Sequence, residues 1–419
     1  MTNFSLRQWD KNINSHYPSR PTYWSVLNHE TNSSVIFHYK NDALIYQGLL
    51  PHATVYFHWY DQEMSRLNVS FEPIESHDEL CRQRAQELRD TYKYLRLWFS
   101  GGSDSQTALN SFVNNNIFLD EIVIAEYPDG DNNVDKTASS NREIVLAAIP
   151  ALKKISHLIP NTKITTIRGT NKDVDEWFTG SDDPATIPGF DSVDGNVYFA
   201  LDQTWAFCKI NQRTDHDDFC DISGGSKVKL FKNKDLWYFY WVDASLHDMH
   251  NSPHYEDFFI SRNTPNLYLK TVYLLKRFFE RQGYTDQQIN DFYSNIPMQR
   301  LYNLGMGRAT VPDISTFKLL WVDHDPIEWT KNFIGGWRCK TFYNNTINTD
   351  QGKRWKKKYD NTVQALLAIA DGQWNLDKMG NQVPHMGRKG HLSKFYCLND
   401  GLTYDSIQAK QSMIIKLAI

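Results

Sequence analysis

Apolar residues recur along this chain in three different rhythms. Over the first 75 residues they come in short runs rich in β-branched and aromatic side chains, at 34–39, 43–46, 54–60 and 67–71, a pattern that predicts strands. Lys40-Asn41-Asp42 separates the first two runs and predicts a hairpin turn, because Asn and Asp tolerate left-handed backbone angles. This opening reads as a small antiparallel sheet.

The second rhythm starts at Ser76-His77-Asp78-Glu79, which fits a capping box in which Ser76 and Glu79 satisfy each other's backbone donors. Leu80, Leu88 and Tyr92 then fall on one helical face, predicting a helix over 77–92. Strand-like runs at 94–99, 121–125 and 163–167 alternate with helical patterns at 105–114 and 140–157, the signature of βαβ units on a parallel sheet. A stretch rich in Asp, Gly, Pro and Ser at 179–195 predicts a long loop, with a helix at 198–210. Further strands are expected at 219–222, 227–231 and 236–242, the first two around a turn at Ser223-Gly224-Gly225-Ser226.

The third rhythm is helical. Leu267, Leu269, Val272, Leu275, Phe278 and Phe279 make a broad apolar stripe between Pro265 and Gly283, and the region after 246 is expected to be mainly helical. The division expected is therefore a β-rich region over 1–75, an α/β domain over 76–245 and a helical region over 246–419. A length of 419 residues, at roughly 150 per domain, agrees with two or three units.

Composition narrows the function classes. An aromatic share of 14% supplies large cores and argues against disorder over most of the chain. The net charge of -4 denies the whole molecule the basic field of a dedicated nucleic-acid coat. No apolar run approaches the roughly 18 residues of a membrane span, and the polar start Met1-Thr2-Asn3-Phe4-Ser5 lacks the order of a secretory signal, so a soluble, cytoplasmic protein is expected. Cys81, Cys208, Cys220, Cys339 and Cys397 are widely spaced without a CxxC pair, which fits buried thiols better than disulfides or a zinc ribbon.

The candidate chemistry lies at Ser100-Gly101-Gly102-Ser103-Asp104-Ser105, directly after the strand at 95–99 and directly before a helix carrying Ala108, Leu109, Phe112 and Val113. A parallel strand ending in a glycine turn points backbone N–H groups into the crevice at its carboxyl end, and the next helix adds unpaired donors and a positive dipole end. Phosphate fits such a place. Asp104 would repel it without a cation, so its candidate roles are to cap the helix, to fix the loop or to help hold Mg²⁺.

These residues resemble the PP-loop superfamily of ATP pyrophosphatases, whose SGGxDS/T motif is matched by Ser100, Gly101, Gly102, Asp104 and Ser105. The resemblance covers roughly 92–245 and implies an α/β, parallel-sheet HUP-type domain. It also implies ATP and Mg²⁺, cleavage between the α and β phosphates, and adenylation of a carbonyl or carboxyl oxygen, which a nucleophile then attacks. On the same resemblance Ser103 joins the phosphate loop, and the strand ending at Ile124-Ala125-Glu126-Tyr127 receives the adenine, making Ala125 a base-recognition candidate. Gly224 and Gly225 form a second phosphate-facing turn, for which a plain hairpin connection is the alternative, while Lys227 and Lys229 neutralise the departing pyrophosphate.

A weaker similarity links 227–267 to large bacteriophage PP-loop proteins grouped with phosphoadenosine phosphosulfate (PAPS) reductases. Cys397, in Phe395-Tyr396-Cys397-Leu398-Asn399, does not match their ECGLH-like motif. A sulfonucleotide enzyme and a nucleotide binder without turnover are the alternative readings. Cys208 with Cys220 is a further candidate, as a sulfur-carrying pair. Potential metal ligands crowd 243–254, including His247 and His250, although Asn251 and Pro253 favour a turn there; 215–218 and 323–325 read as solvated loops. Lys353, Arg354, Trp355 and Lys356 open a basic run that is a candidate for nucleic-acid contact or a solvated face.

Overall fold

The computed structural model describes residues 22–37, 43, 46–50, 52–126, 144–168, 218–224, 229–241, 255–294, 350, 353, 374–376, 382–384 and 393–404. The chain opens with β1 (Thr22–Asn28), β2 (Ser33–Phe37) and β3 (Ala53–Trp59), an antiparallel sheet with β1 in the middle. Trp24, Val26, Phe37, Val55, Phe57 and Trp59 alternate onto one buried face, as the period of two in a strand requires.

Two expected strands are absent from this sheet. Ala43 and residues 46–48 are helical, and 67–71 is a turn held by the Asn68 side chain, which accepts from the Ser70 N–H at 3.3 Å. The Lys40-Asn41-Asp42 turn lies outside the described residues. The hairpin seen instead joins β1 to β2 through 29–32, where Asn32 takes the left-handed φ of 51° that Asn tolerates.

A short helix, α1 (Asp61–Arg66), follows β3, and the expected capped helix is α2 (His77–Thr91). Ser76 Oγ accepts from the Glu79 N–H at 3.1 Å. The other half of the capping box does not form as expected: the Glu79 carboxylate binds Arg82 at 2.6 and 2.9 Å and Gln83 at 3.2 Å, because these one-turn neighbours on the helix offer charged and amide donors. Ser76→Ala is expected to lower stability by about 1 kcal/mol and Ser76→Asp to restore it. Urea unfolding midpoints check this.

Next come β4 (Tyr94–Trp98), α3 (Ser103–Val113) and β5 (Glu121–Glu126). A π-helical turn at Ile144–Ala148 leads into α4 (Ile149–Ile155), and β6 (Lys163–Arg168) closes this run. The helix expected over 140–157 is thus irregular where described, and Pro150, which has no N–H to donate, stands where the π turn gives way to α-helix. Then come β7 (Phe219–Ser223), β8 (Lys229–Asn233), β9 (Leu236–Tyr240) and β10 (Tyr255–Asp257).

The expected βαβ alternation gives a five-stranded sheet, ordered β10-β7-β4-β5-β6, with every pairing parallel. The fold is α/β. Counted in chain order the sheet reads 5-4-1-2-3, so the winding reverses between β4 and β7. A reversal of this kind opens a crevice at the carboxyl ends of the two strands. On one face Leu95, Leu97, Ile122, Ile124, Cys220 and Ile222 pack with residues of α2, α3 and α4. The opposite face carries buried polar groups, among them Arg96, Glu121 and Asp221.

The remaining helices are α5 (Pro265–Gln282), ended as expected by Gly283 at φ 66°, and α6 (Asp286–Ser294). The remaining strands are β11 (Trp374–Leu376), β12 (Gln382–Pro384), β13 (Phe395–Cys397) and β14 (Thr403–Tyr404). A four-stranded antiparallel sheet has the order β14-β13-β9-β8, so residues near 400 complete a sheet begun near 230. One face of it, with Leu230, Trp237, Phe239 and Tyr396, joins the β1–β3 sheet and α5 in a second core. Leu267 belongs to the first core and Tyr268 to the second, so α5 ties the two together. No described helix is long and apolar enough to cross a membrane.

Candidate nucleotide site

The loop at 100–105 begins where β4 ends, beside the winding reversal. Phe99 N–H donates to Val123 O at 2.9 Å, so the chain leaves the sheet only after Phe99. Gly101 then adopts φ 77°, and Gly102 serves as the N-cap of α3 without any side-chain cap. The helix itself offers its first-turn amides no partner. In α2 a serine side chain fills that role; in α3 the position is held by a residue that has none.

Internal bonds fix the loop's shape. Ser105 Oγ donates to Gly102 O at 3.0 Å and lies 3.3 Å from Ser100 Oγ, while Gln106 Nε2 donates to Gly101 O at 2.5 Å. Ser100 and Ser105 are therefore brought together at the start of α3. Ser103 opens that helix, and Asp104 lies in its first turn, partly buried.

Two other chain segments close on this loop at backbone distance. A Cβ on Gly101 would stand 2.4 Å from the Ala148 nitrogen, so the π turn presses against the loop. A Cβ on Gly224, just past β7, would stand 3.0 Å from the carbonyl carbon and oxygen of Asp104. Glycine at 101 is a steric requirement of this packing, and at 224 an added Cβ would be tight against backbone. Gly224 thus lies beside the first loop.

The connection around Gly224 is not the hairpin that was the alternative reading of this turn. The strands flanking 223–226 do not pair with each other: β7 lies in the parallel sheet, whereas β8 pairs antiparallel with β9. The physical reason is burial on both sides, since Phe219, Cys220, Asp221 and Ile222 are all buried and a strand of that kind fits the inside of a parallel sheet. A plain hairpin connection is ruled out. Lys229 consequently opens β8 opposite Tyr240, in the other sheet. Ala125 sits at the carboxyl end of β5, paired with Ile167, on the same edge as the loop.

Gly225, Lys227, Cys208, His247 and His250, with the runs at 215–217 and 323–325, lie outside the described residues, as do the loop at 179–195 and the helix expected at 198–210. Arg354, Trp355 and Lys356 do too; Lys353 is exposed and lies 3.7 Å from Asp350. Among the described residues no group of three or more His, Cys, Asp or Glu forms a metal cluster. Cys81, Cys220 and Cys397 are buried free thiols, as expected. Burial pushes the Cys220 thiol well above its ordinary range, the opposite of what a nucleophilic thiolate needs.

Sequence reading did not reach the clamping role of 147–148 or the side chains of Ser25, His58 and Asp61, which meet on the first sheet. A His-x-x-Asp spacing was visible for the last two; nothing local connects Ser25 to them. No protein family and no curated protein matches this chain.

Proposed function

We propose that this chain is an ATP-binding enzyme of the PP-loop pyrophosphatase kind, on a HUP-type α/β domain, which adenylates a carbonyl or carboxyl oxygen for attack by a nucleophile. The observation that carries the reading is the glycine loop between β4 and α3, placed at the winding reversal and met there by the second glycine turn at Gly224. ATP would supply an adenylyl group that turns the acceptor oxygen into a leaving group.

The residues present suit a phosphate chain. Ser100 and Ser105 bring two hydroxyls to the start of α3, whose dipole favours an anion. The glycine at its N-cap has no side chain to cap the helix in a ligand's place. Asp104 offers one carboxylate, which with phosphate oxygens and water suffices for Mg²⁺. Backbone groups near Ala125 read the base, and Lys227 and Lys229 balance charge on the pyrophosphate. Positioning and charge neutralisation provide most of the rate in such transfers.

Thermal unfolding with ATP, AMP or PAPS, each with Mg²⁺, tests this on the wild type, on Asp104→Ala and on Gly224→Ala. At ligand a hundredfold above its dissociation constant the expected stabilisation is about 2.7 kcal/mol, reduced in both variants. No shift with any nucleotide overturns the reading. A larger shift with PAPS than with ATP replaces it with the sulfonucleotide one, and binding without pyrophosphate release, across candidate acceptors, with the turnover-free binder.

A further inference from the structure

The face of the first sheet turned away from its core carries a second constellation, far in sequence from the glycine loop, in which Ser25 is buried and His58 partly exposed. Ser25, on β1, and His58, on β3, are diagonal cross-strand neighbours, because Ser25 pairs with Tyr56 and Tyr23 with His58. Ser25 Oγ lies 2.8 Å from His58 Nε2. On the other side of the ring, His58 Nδ1 lies 2.8 Å from Asp61 Oδ2. Hydroxyl, imidazole and carboxylate thus stand in line, at the distances that define a nucleophile, its base and the group that orients the base.

The fold goes to some length to build this line. Between His58 and Asp61 the chain turns through Tyr60 at φ 48° and ψ 34°, a left-handed conformation that costs a non-glycine residue about 1–2 kcal/mol. That turn brings the first residue of α1 back beneath the imidazole. The His58 ring is held from its face by Tyr23, stacked at 4.3 Å with 9° between planes.

The protonation pattern follows from the partners. Burial alone would raise the Asp61 carboxyl, but the hydrogen bond and charge of His58 and the Lys394 ammonium at 2.9 Å outweigh it and hold the group below its ordinary value. Tyr396 OH donates to the other carboxylate oxygen at 3.3 Å. With the imidazole neutral, an ionised Asp61 accepts from Nδ1–H, and Nε2 is left to accept from the Ser25 hydroxyl.

We propose that Ser25, His58 and Asp61 form a second reactive site, in which Ser25 is a nucleophile toward activated esters of small apolar acyl groups. As the Ser25 Oγ–carbon bond forms, its proton passes to His58 Nε2; the carbon–oxygen bond to the leaving alkoxide breaks, and His58 returns the proton to it. Water then repeats the sequence at the acyl-serine, releasing the carboxylic acid and regenerating Ser25. The acyl preference follows from the directly opposed residues on the same face, Tyr56 and the half-exposed Ile36. Since β1 is the middle strand and its amides serve two ladders, it brings no oxyanion donors of its own. Reaction is therefore expected with good leaving groups, and deacylation is expected to be slow.

A fluorophosphonate probe tests the proposal on the full chain: the Ser25 Oγ–phosphorus bond forms, the phosphorus–fluorine bond breaks, and fluoride departs with the proton taken by His58. Intact-mass measurement is expected to show one adduct on the folded wild type, mapped to Ser25 by peptide sequencing, absent in Ser25→Ala and formed at least tenfold more slowly in His58→Gln and Asp61→Asn. p-Nitrophenyl acetate is expected to give a burst of one equivalent of nitrophenol with the same dependence. No adduct on the folded wild type, an adduct at another residue, or labelling of Ser25 at an unchanged rate in folded His58→Gln each overturns the proposal. Mapping on the wild type keeps the test decisive even where a variant fails to fold.

Discussion

Gly101→Ala is expected to lower stability by about 2–5 kcal/mol and to remove stabilisation by ATP. Two costs combine. A non-glycine residue at φ 77° loses about 1–2 kcal/mol in a left-handed backbone, and overpacking adds about 1–3 kcal/mol. The overpacking is unusually hard to relieve, because the atoms met are backbone: Ala148 nitrogen at 2.4 Å, Ala148 Cα at 2.6 Å and the Ala147 carbonyl carbon at 2.7 Å. Either the π turn moves away or the loop at 100–105 shifts, and both alter the place proposed for the phosphates. Gly283→Ala separates the two costs. Gly283 has φ 66° but nothing within 4 Å of the added carbon, so only the backbone cost of about 1–2 kcal/mol is expected. Urea unfolding of both variants, with and without ATP, reads the difference. Equal losses would show that the close approach of 147–148 to Gly101 does not exist in solution.

Where signals are local, the sequence was a good guide. The start of α2 was visible because Ser76 precedes a periodic apolar face, and β5 was visible because Ile122, Val123 and Ile124, all buried inside the parallel sheet, read as an unbroken apolar run. The loop at 100–105 was legible for the same reason: strand, glycines and helix follow one another without interruption. What escaped depends on distant partners. β1 carries Ser25 and Thr22 among aromatic residues, so its run looks interrupted until the sheet supplies β2 on one side and β3 on the other. β7 and β8 look like two arms of one hairpin, and only the full set of pairings shows that they belong to different sheets. Likewise Trp237 takes its backbone partners from Leu398 and Asn399, which no local pattern announces. The contact between Gly224 and the 100–105 loop combines both kinds: each glycine turn is readable alone, and the winding reversal is what joins them.

Arg96→Met is expected to cost about 3–5 kcal/mol, because it strands a carboxylate that has no water to turn to. Asp221 is fully buried and takes both Arg96 Nε at 2.8 Å and a terminal Arg96 nitrogen at 2.7 Å, with Trp98 Nε1 donating to Oδ1 at 3.1 Å. Arg96 also lies over the Phe219 ring at 4.6 Å. Asp221→Leu is expected to cost a similar amount by taking away the carboxylate that two guanidinium nitrogens address, whereas the double variant loses far less than the sum of the two, since a buried pair replaced by apolar groups is often nearly neutral. A double-mutant cycle by urea unfolding measures this coupling. The pH dependence has a definite sign. Burial pushes the Asp221 carboxyl above its ordinary range against the pull of Arg96, and without that arginine it rises further. A carboxyl raised in the folded state contributes stability below its unfolded value that is lost as pH rises through the folded one. The deficit of Arg96→Met should therefore shrink between pH 8 and pH 5, while the double variant shows no such trend. Because the pair spans β4 and β7, whose ends carry the 100–105 loop and Gly224, Arg96→Met should also weaken ATP stabilisation at pH 8, and the double variant should recover it. A variant that lost stability equally at both pH values would show that Asp221 is not the buried anion this packing makes it.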